Sequence, residues 1–191
     1  MLNQKGFKKL WVMALALPIL FLVACSDDNA VGEVNEITVA EIEAAQVAWG
    51  EGLVSISTAF ATGDDYVTIA AGVLNDLYGY EYDHVLFKPT LTNDVPFRLT
   101  WDEAASYFIG TSSPNLVIPE DNAGFATNPW SAVEFTGWSY IINGETAIGM
   151  GLVNITDVEG GVTTVHKSMA WFRDTEGSLR LQLHHSSIPF E

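Results

Sequence analysis

Apolar residues recur at three- and four-residue steps from Ile42 through Ala45, Trp49, Leu53, Ile56 and Phe60, the repeat of a helix that buries one face. Thr38 and Glu41 stand just ahead with capping-box spacing, and Gly63 follows as a stop. The pattern predicts an amphipathic helix of about six turns. Gly50 and Gly52 weaken it by about 1 kcal/mol each relative to Ala, so packing of the Trp49 face has to hold it. Asp64-Asp65 can cap a second helix through Val67, Ala70, Ala71, Leu74 and Leu77, which ends near Gly79 among the tyrosines Tyr78, Tyr80 and Tyr82. The period then changes. Val85-Leu86-Phe87 reads as a strand, Thr100 to Ala105 as a short helical turn, and Pro114 to Pro129 as a long irregular connection. Residues 133–142, 146–156, 162–173 and 179–187 have strand length and are separated by Asn143-Gly144, Glu159-Gly160-Gly161 and Glu176-Gly177, the punctuation of antiparallel hairpins. Helices followed by a meander predict an α+β domain over 37–191 whose curved sheet wraps around helices. No repeat of domain scale and no low-complexity stretch divides it.

The N-terminus follows a different pattern. Lys5, Lys8 and Lys9 precede an apolar run from Leu10 to Ala24, too short to span a bilayer comfortably and suited to an export signal. Its end, Leu22-Val23-Ala24-Cys25, resembles the bacterial lipobox, which implies cleavage after residue 24 and a diacylated Cys25. Ser26 rather than Asp after the cysteine implies, in the same sorting scheme, the outer membrane and a periplasmic face. Residues 25–36 are polar, acidic and aperiodic, as in a flexible tether.

Charge and cysteine count narrow the chemistry. The 191 residues carry 24 acidic and 8 basic side chains, a net charge of −16, which excludes a cationic surface for nucleic acid. Loss of residues 1–24 removes three lysines and no acid, so the mature chain is more acidic still. With Cys25 as the single cysteine, an internal disulfide, a CxxC pair and a thiolate-rich zinc site are excluded. Dinucleotide, Walker A, HExxH and GxSxG motifs are missing from the sequence.

The densest polar group is His184-His185-Ser186-Ser187 at the end of the last strand. Leu179, Leu181 and Leu183 alternate with Arg180 and Gln182, so a continued period of two predicts His185 and Ser187 on the apolar face and His184 and Ser186 opposite. On such a wall an imidazole beside a hydroxyl can act as a base or acceptor; a core histidine that merely ends the strand fits the spacing equally.

The ending HHSSIP, with VLFKPT at 85–90, Phe97-Arg98, Ala105-Ser106-Tyr107-Phe108, the 120–126 segment and Met150-Gly151, resembles the iota-class carbonic anhydrases over nearly the whole domain. The resemblance implies an NTF2-like or SnoaL-like cone, related to the association domain of calmodulin-dependent kinase II, that interconverts CO2 and bicarbonate. Carried over by position, it implies a catalytic pocket of Thr90, Tyr107, His185 and Ser187. Lys88, Arg98, His184 and Ser186 are further candidates for holding bicarbonate, with a structural ion pair the competing reading for Lys88 and Arg98. Zinc catalysis normally takes three protein ligands, which four scattered histidines, His84, His166, His184 and His185, do not readily supply. Metal-free operation is therefore the favoured expectation, with Mn or Zn the alternative and the metal ligands unknown. A sheet face left uncovered predicts a homodimer. Two other classes fit the same fold: a small-molecule-binding lipoprotein without catalysis, and an oligomeric scaffold.

Overall fold

The computed structural model describes residues 35–114, 117–122 and 124–190. The expected signal segment 1–24, the lipidation site Cys25 and all but the last two tether residues lie outside the described residues.

The capping box at Thr38 and Glu41 forms as expected and opens α1 (Val39–Thr62), which Gly63 ends in a left-handed conformation at φ 77°. Ile42, Trp49, Leu53 and Ile56 are buried on one side of α1. Gly50 and Gly52 are there for proximity: a Cβ at Gly50 would meet the Val133 side chain at 3.0 Å, and one at Gly52 would meet Val73 at 2.9 Å. Their helix-propensity cost is the cost of close helix packing. Asp65 caps α2 (Tyr66–Leu77), accepting from the Thr68 amide. A three-residue strand, β1 (Leu86–Lys88), precedes α3 (Trp101–Ile109). The helical turn expected at 100–105 is thus a nine-residue helix, opened by a second capping box at Thr100 and Glu103. The connection to the sheet contains short 3-10 turns at Pro119–Asp121 and Phe125–Thr127.

Four long strands follow, β2 (Trp130–Asn143), β3 (Thr146–Asp157), β4 (Val162–Arg173) and β5 (Leu179–Ser187), paired antiparallel in sequence order. The sheet order is β1-β5-β4-β3-β2. The sequence predicted hairpins only, but β1 adds to β5 in parallel, with Phe87 opposite His184 and Lys88 opposite His185. A register shift between Thr136 and Ser139 interrupts the β2–β3 ladder, and such a bulge bends a strand around what it packs on. α1 lies against the concave side. Ser57 ties it there, donating to the Asn128 carbonyl at 2.6 Å and accepting from the Trp130 amide at 2.8 Å.

Candidate active site

Strand β5 does not keep its alternation. Trp171 pairs with Leu181 and Ala170 pairs with Leu183, so Gln182 is an extra residue in a bulge. One inserted residue exchanges the faces of everything after it. Leu181 is buried, but from there inward-facing positions fall on His184 and Ser186, each 1% exposed, and His185 turns to solvent. The expectation of His185 and Ser187 on the inner wall is therefore corrected to His184 and Ser186. Strand β1 fixes this phase, because buried Phe87 stacks on the His184 ring at 4.8 Å and 17° between planes.

His184 and Ser186 line a small cavity together with Thr90, Tyr107 and Lys167, walled by Trp49, Phe87, Phe108 and Phe125. Its volume, about 10 Å³, is close to the minimum that one water requires. Larger grooves lie elsewhere, one of about 680 Å³ between α1 and β2, but its polar lining of Glu43, Gln46, Glu51, Ser131, Glu134 and Tyr140 holds no histidine or lysine. A shallower groove of about 170 Å³ shares Tyr107 and Phe125 with the small cavity and places those two side chains between it and solvent.

Each polar group is held by the fold. Thr90 follows β1 after Pro89, and its Oγ1 lies 2.6 Å from Ser186 Oγ. Tyr107 sits on the inner face of α3, stacked on Phe125 at 5.5 Å with the Arg98 guanidinium 5.8 Å from its ring centre. Burial pushes its phenol well above the usual range, with backbone hydrogen bonds to Leu91 and Thr90 offsetting this in part, so it keeps its proton and can donate it in a hydrogen bond. The His184 imidazole is bonded on both nitrogens: Nδ1 lies 2.9 Å from the Tyr78 hydroxyl and Nε2 lies 2.6 Å from Lys167 Nζ. Burial first, then the charges of Lys167 and His185, pushes it well below the ordinary imidazole range. His184 is accordingly neutral at physiological pH.

The remaining candidates divide. Arg98, fully buried, reaches Asp121 with two nitrogens, Nε to Oδ2 at 3.2 Å and NH2 to Oδ1 at 2.6 Å, and its NH1 meets the carbonyls of Val95 and Phe97. It forms the structural ion pair of the two readings left open, and it stands behind Tyr107 rather than in the cavity. Lys88 donates to the Ser186 carbonyl at 3.2 Å and so braces the strand that carries the site. His185 and Ser187 lie beyond the cavity lining, with His166 opposite Ser187 on the exposed side of β4 and His84 in the exposed turn before β1. The four histidines do not converge, and among the described residues no group of three or more His, Cys, Asp or Glu could hold a metal ion.

Sequence reasoning overlooked Lys167 and weighed Tyr78 only with Tyr80 and Tyr82, as lining of a cavity mouth or, by default, as packing. Lys167 had a signal: it occupies the same phase of β4 as Val165, Met169 and Trp171, a lysine among positions that are otherwise apolar and buried. Tyr78 had none beyond its membership in a tyrosine cluster.

The family profile described as "Metal-independent carbonic anhydrase" matches residues 40–188. A relative of that description from Nostoc sp. is 45% identical over 158 residues, covering 81% of this chain and 75% of the relative. The crystal structure of an iota-carbonic anhydrase from a cyanobacterium, complexed with bicarbonate, aligns with a TM-score of 0.75 at 42% identity, covering 82% of this chain and 95% of that one. A chain described as a calcium/calmodulin dependent protein kinase II association domain, from Xanthomonas campestris, shares the fold at a TM-score of 0.53 and 18% identity, covering 79% and 87% of the two chains. The profile spans the three strands that carry the cavity, β1, β4 and β5, and the bulged β5 with its HHSS run lies inside the matched range. On these grounds the chain belongs to the family of metal-independent, iota-class carbonic anhydrases.

Proposed function

We propose that this chain hydrates CO2 to bicarbonate, and reverses the reaction, where the small cavity between β1, α3, β4 and β5 and the groove of about 170 Å³ share Tyr107 and Phe125, and that it works as a lipid-anchored homodimer facing the periplasm. The observation that carries the catalytic part is the meeting of Thr90, Tyr107, His184 and Ser186 in one enclosure with aromatic walls. CO2 is apolar and suits such walls, while the water and the charge that develops on the CO2 oxygens need hydrogen bonds placed in advance.

Thr90 and Ser186 form the hydroxyl pair that orients the water, their oxygens 2.6 Å apart and able to exchange donor and acceptor roles. Tyr107, protonated because it is buried, donates to the oxygen on which negative charge accumulates. His184 holds the wall in register through both nitrogens. The metal-free character rests on the family match, and it accords with a cavity histidine whose two nitrogens are already bonded to side chains.

Stopped-flow CO2 hydration on the purified protein tests this. Activity that survives dialysis against a chelator and falls in Ser186→Ala and Thr90→Val is the expected result. A well-folded protein that is inactive would overturn the assignment, and activity lost with the chelator would overturn its metal-free form.

Dimerisation is supported by the outer face of the sheet, where Ile141, Ile148 and Met150 on β2 and β3 are 74%, 53% and 62% exposed, an apolar surface of the kind that partners cover. Sedimentation at micromolar concentration is expected to give twice the chain mass, and Ile148→Glu to give monomer. The lipid anchor rests on Leu22-Val23-Ala24-Cys25 and the preceding lysines. Its expected signature is incorporation of labelled fatty acid that Cys25→Ser abolishes.

A further inference from the structure

CO2 hydration releases a proton, and the groups assigned above are poor places to put it. Burial keeps Tyr107 protonated, and His184 is held neutral with both nitrogens occupied. Thr90 and Ser186 are hydroxyls. The remaining titratable side chain on the cavity wall is Lys167. It is 4% exposed, its Nζ lies 4.3 Å from the centre of the Trp49 ring, and its hydrogen-bond partner among the described residues is His184.

The hydrogen bonds assign the charge state of this lysine. Trp49 Nε1–H can only donate, and it donates to the Tyr78 hydroxyl oxygen at 2.9 Å. Tyr78, buried and holding its proton, then has His184 Nδ1 as its acceptor at 2.9 Å. A neutral imidazole that accepts at Nδ1 carries its hydrogen on Nε2. That N–H faces Lys167 Nζ at 2.6 Å, which suits an amine with a lone pair and not an ammonium. An ammonium at this position would need the imidazole hydrogen on Nδ1, and the hydroxyl hydrogen of Tyr78 would lose its acceptor. Burial acts in the same direction, lowering the ammonium to about 7.

We propose that Lys167 is the proton acceptor of this site: a neutral amine that takes the proton of the attacking water and, as an ammonium, faces the bicarbonate it has helped to form. The inference rests on the carbonic anhydrase reading. As the water oxygen bonds to the carbon of CO2, Nζ turns its lone pair from His184 Nε2–H toward the water, so that hydrogen bond breaks, one O–H bond passes its proton to Nζ, and one C=O pair moves onto oxygen. The products are HCO3− and Lys–NH3+. A buffer base in solution then removes the proton and restores the amine.

The titratable groups around Nζ are consistent with a lone proton site. His184 faces it from β5 and Tyr107 shares its cavity from α3, with Tyr78 behind His184 at the end of α2; His185 lies on the solvent side of β5, its imidazole held below the ordinary range by burial and then by the charges of Lys88 and Lys167, and Asp121 behind Tyr107 is bound by Arg98. A protonated Lys167 is thereby the counter-charge available to a bicarbonate in the cavity.

The test is stopped-flow CO2 hydration from pH 6 to 9 on the full protein and on Lys167→Met, with NMR titration of lysine side chains labelled at the ε-carbon. The expected result is a rate that rises with pH through an inflection near 7. In folded Lys167→Met the rate should fall by about 100-fold or more, the lower bound for a general base, and the inflection should vanish. The lysine resonance missing from that variant should titrate with the same midpoint in the unsubstituted protein. A variant that keeps both rate and inflection overturns the role, as does a Lys167 resonance that titrates near the ordinary lysine value. A stable carbamate at Nζ under labelled CO2 would also overturn it, since the amine would then be a nucleophile rather than a base. An inactive unsubstituted protein would overturn activity and role together, whereas an active one with an indifferent Lys167→Met overturns the role alone.

Discussion

Replacing Asp121 with Ala removes the carboxylate that answers a guanidinium with no exposed surface. Arg98 meets Asp121 through Nε and NH2 at 3.2 and 2.6 Å, and the Asp121 side chain is itself 3% exposed. The nearest substitute is Glu120, 3.6 Å from NH2 and partly solvated, which also accepts from the amides of Asn93 and Asp94. Removing one partner of a buried ion pair costs about 3–5 kcal/mol because the other charge is stranded. The lower end applies here to the extent that Glu120 swings inward. For a domain of this size each kcal/mol moves Tm by roughly 2–4 °C, so a fall of about 6–20 °C is expected. Urea unfolding should show the same loss as a lower midpoint at unchanged slope. The double variant Arg98→Met with Asp121→Leu should recover most of the stability, since an apolar pair of similar volume does not need desolvating. Its CO2 hydration should stay impaired, because Tyr107 loses the guanidinium that packs 5.8 Å from its ring. A loss below about 1 kcal/mol in Asp121→Ala, the value of an exposed pair, would refute the reasoning.

Three further outcomes follow from the same geometry. His184→Ala should lower kcat/KM by about 100-fold through misplacement of the cavity wall in a folded protein, while His185→Ala, on the solvent side of the bulged strand, should leave kcat/KM near that of the unsubstituted protein; the reverse order would mean that the strand faces are misassigned. Lys167, lowered from 10.5 to about 7 in the folded chain, makes the unfolded chain bind more protons between those values, so stability should rise with pH from 7 toward 10 and this slope should disappear in Lys167→Met when unfolding is followed across that range. Gly110→Ala should cost about 2 kcal/mol or more in thermal unfolding, because φ is 57° and the new Cβ would lie 2.5 Å from the Asn122 carbonyl oxygen.

Local features were legible in the residues because the forces that set them act over a few positions. The capping box at Thr38 and Glu41 satisfies amides within one turn, and the 3.6-residue repeat from Ile42 to Ile56 defines the face that is buried. The turns around Gly144, Gly160 and Gly177, all at positive φ, set where β2 to β5 begin and end. These reach the α+β class alone; the NTF2-like fold, the family and the candidacy of Thr90 and Tyr107 came from the resemblance of the VLFKPT, ASYF and HHSSIP blocks to the iota-class carbonic anhydrases.

The side of β5 that faces the cavity was not. Leu179, Leu181, Leu183, His185 is an unbroken alternation in the sequence, and it is broken only because Gln182 is left over when Leu181 pairs with Trp171 and Leu183 with Ala170. That register is a contact between strands, reinforced by the parallel addition of β1 from about 95 residues earlier, with Phe87 against His184. Nor could the sequence decide that Arg98 closes on Asp121, or that Lys167, Trp49, Tyr78 and His184, drawn from separate elements, share one line of hydrogen bonds and ring contacts. Propensity and periodicity are properties of neighbours along the chain, whereas desolvation and proton placement depend on which distant groups the fold encloses together.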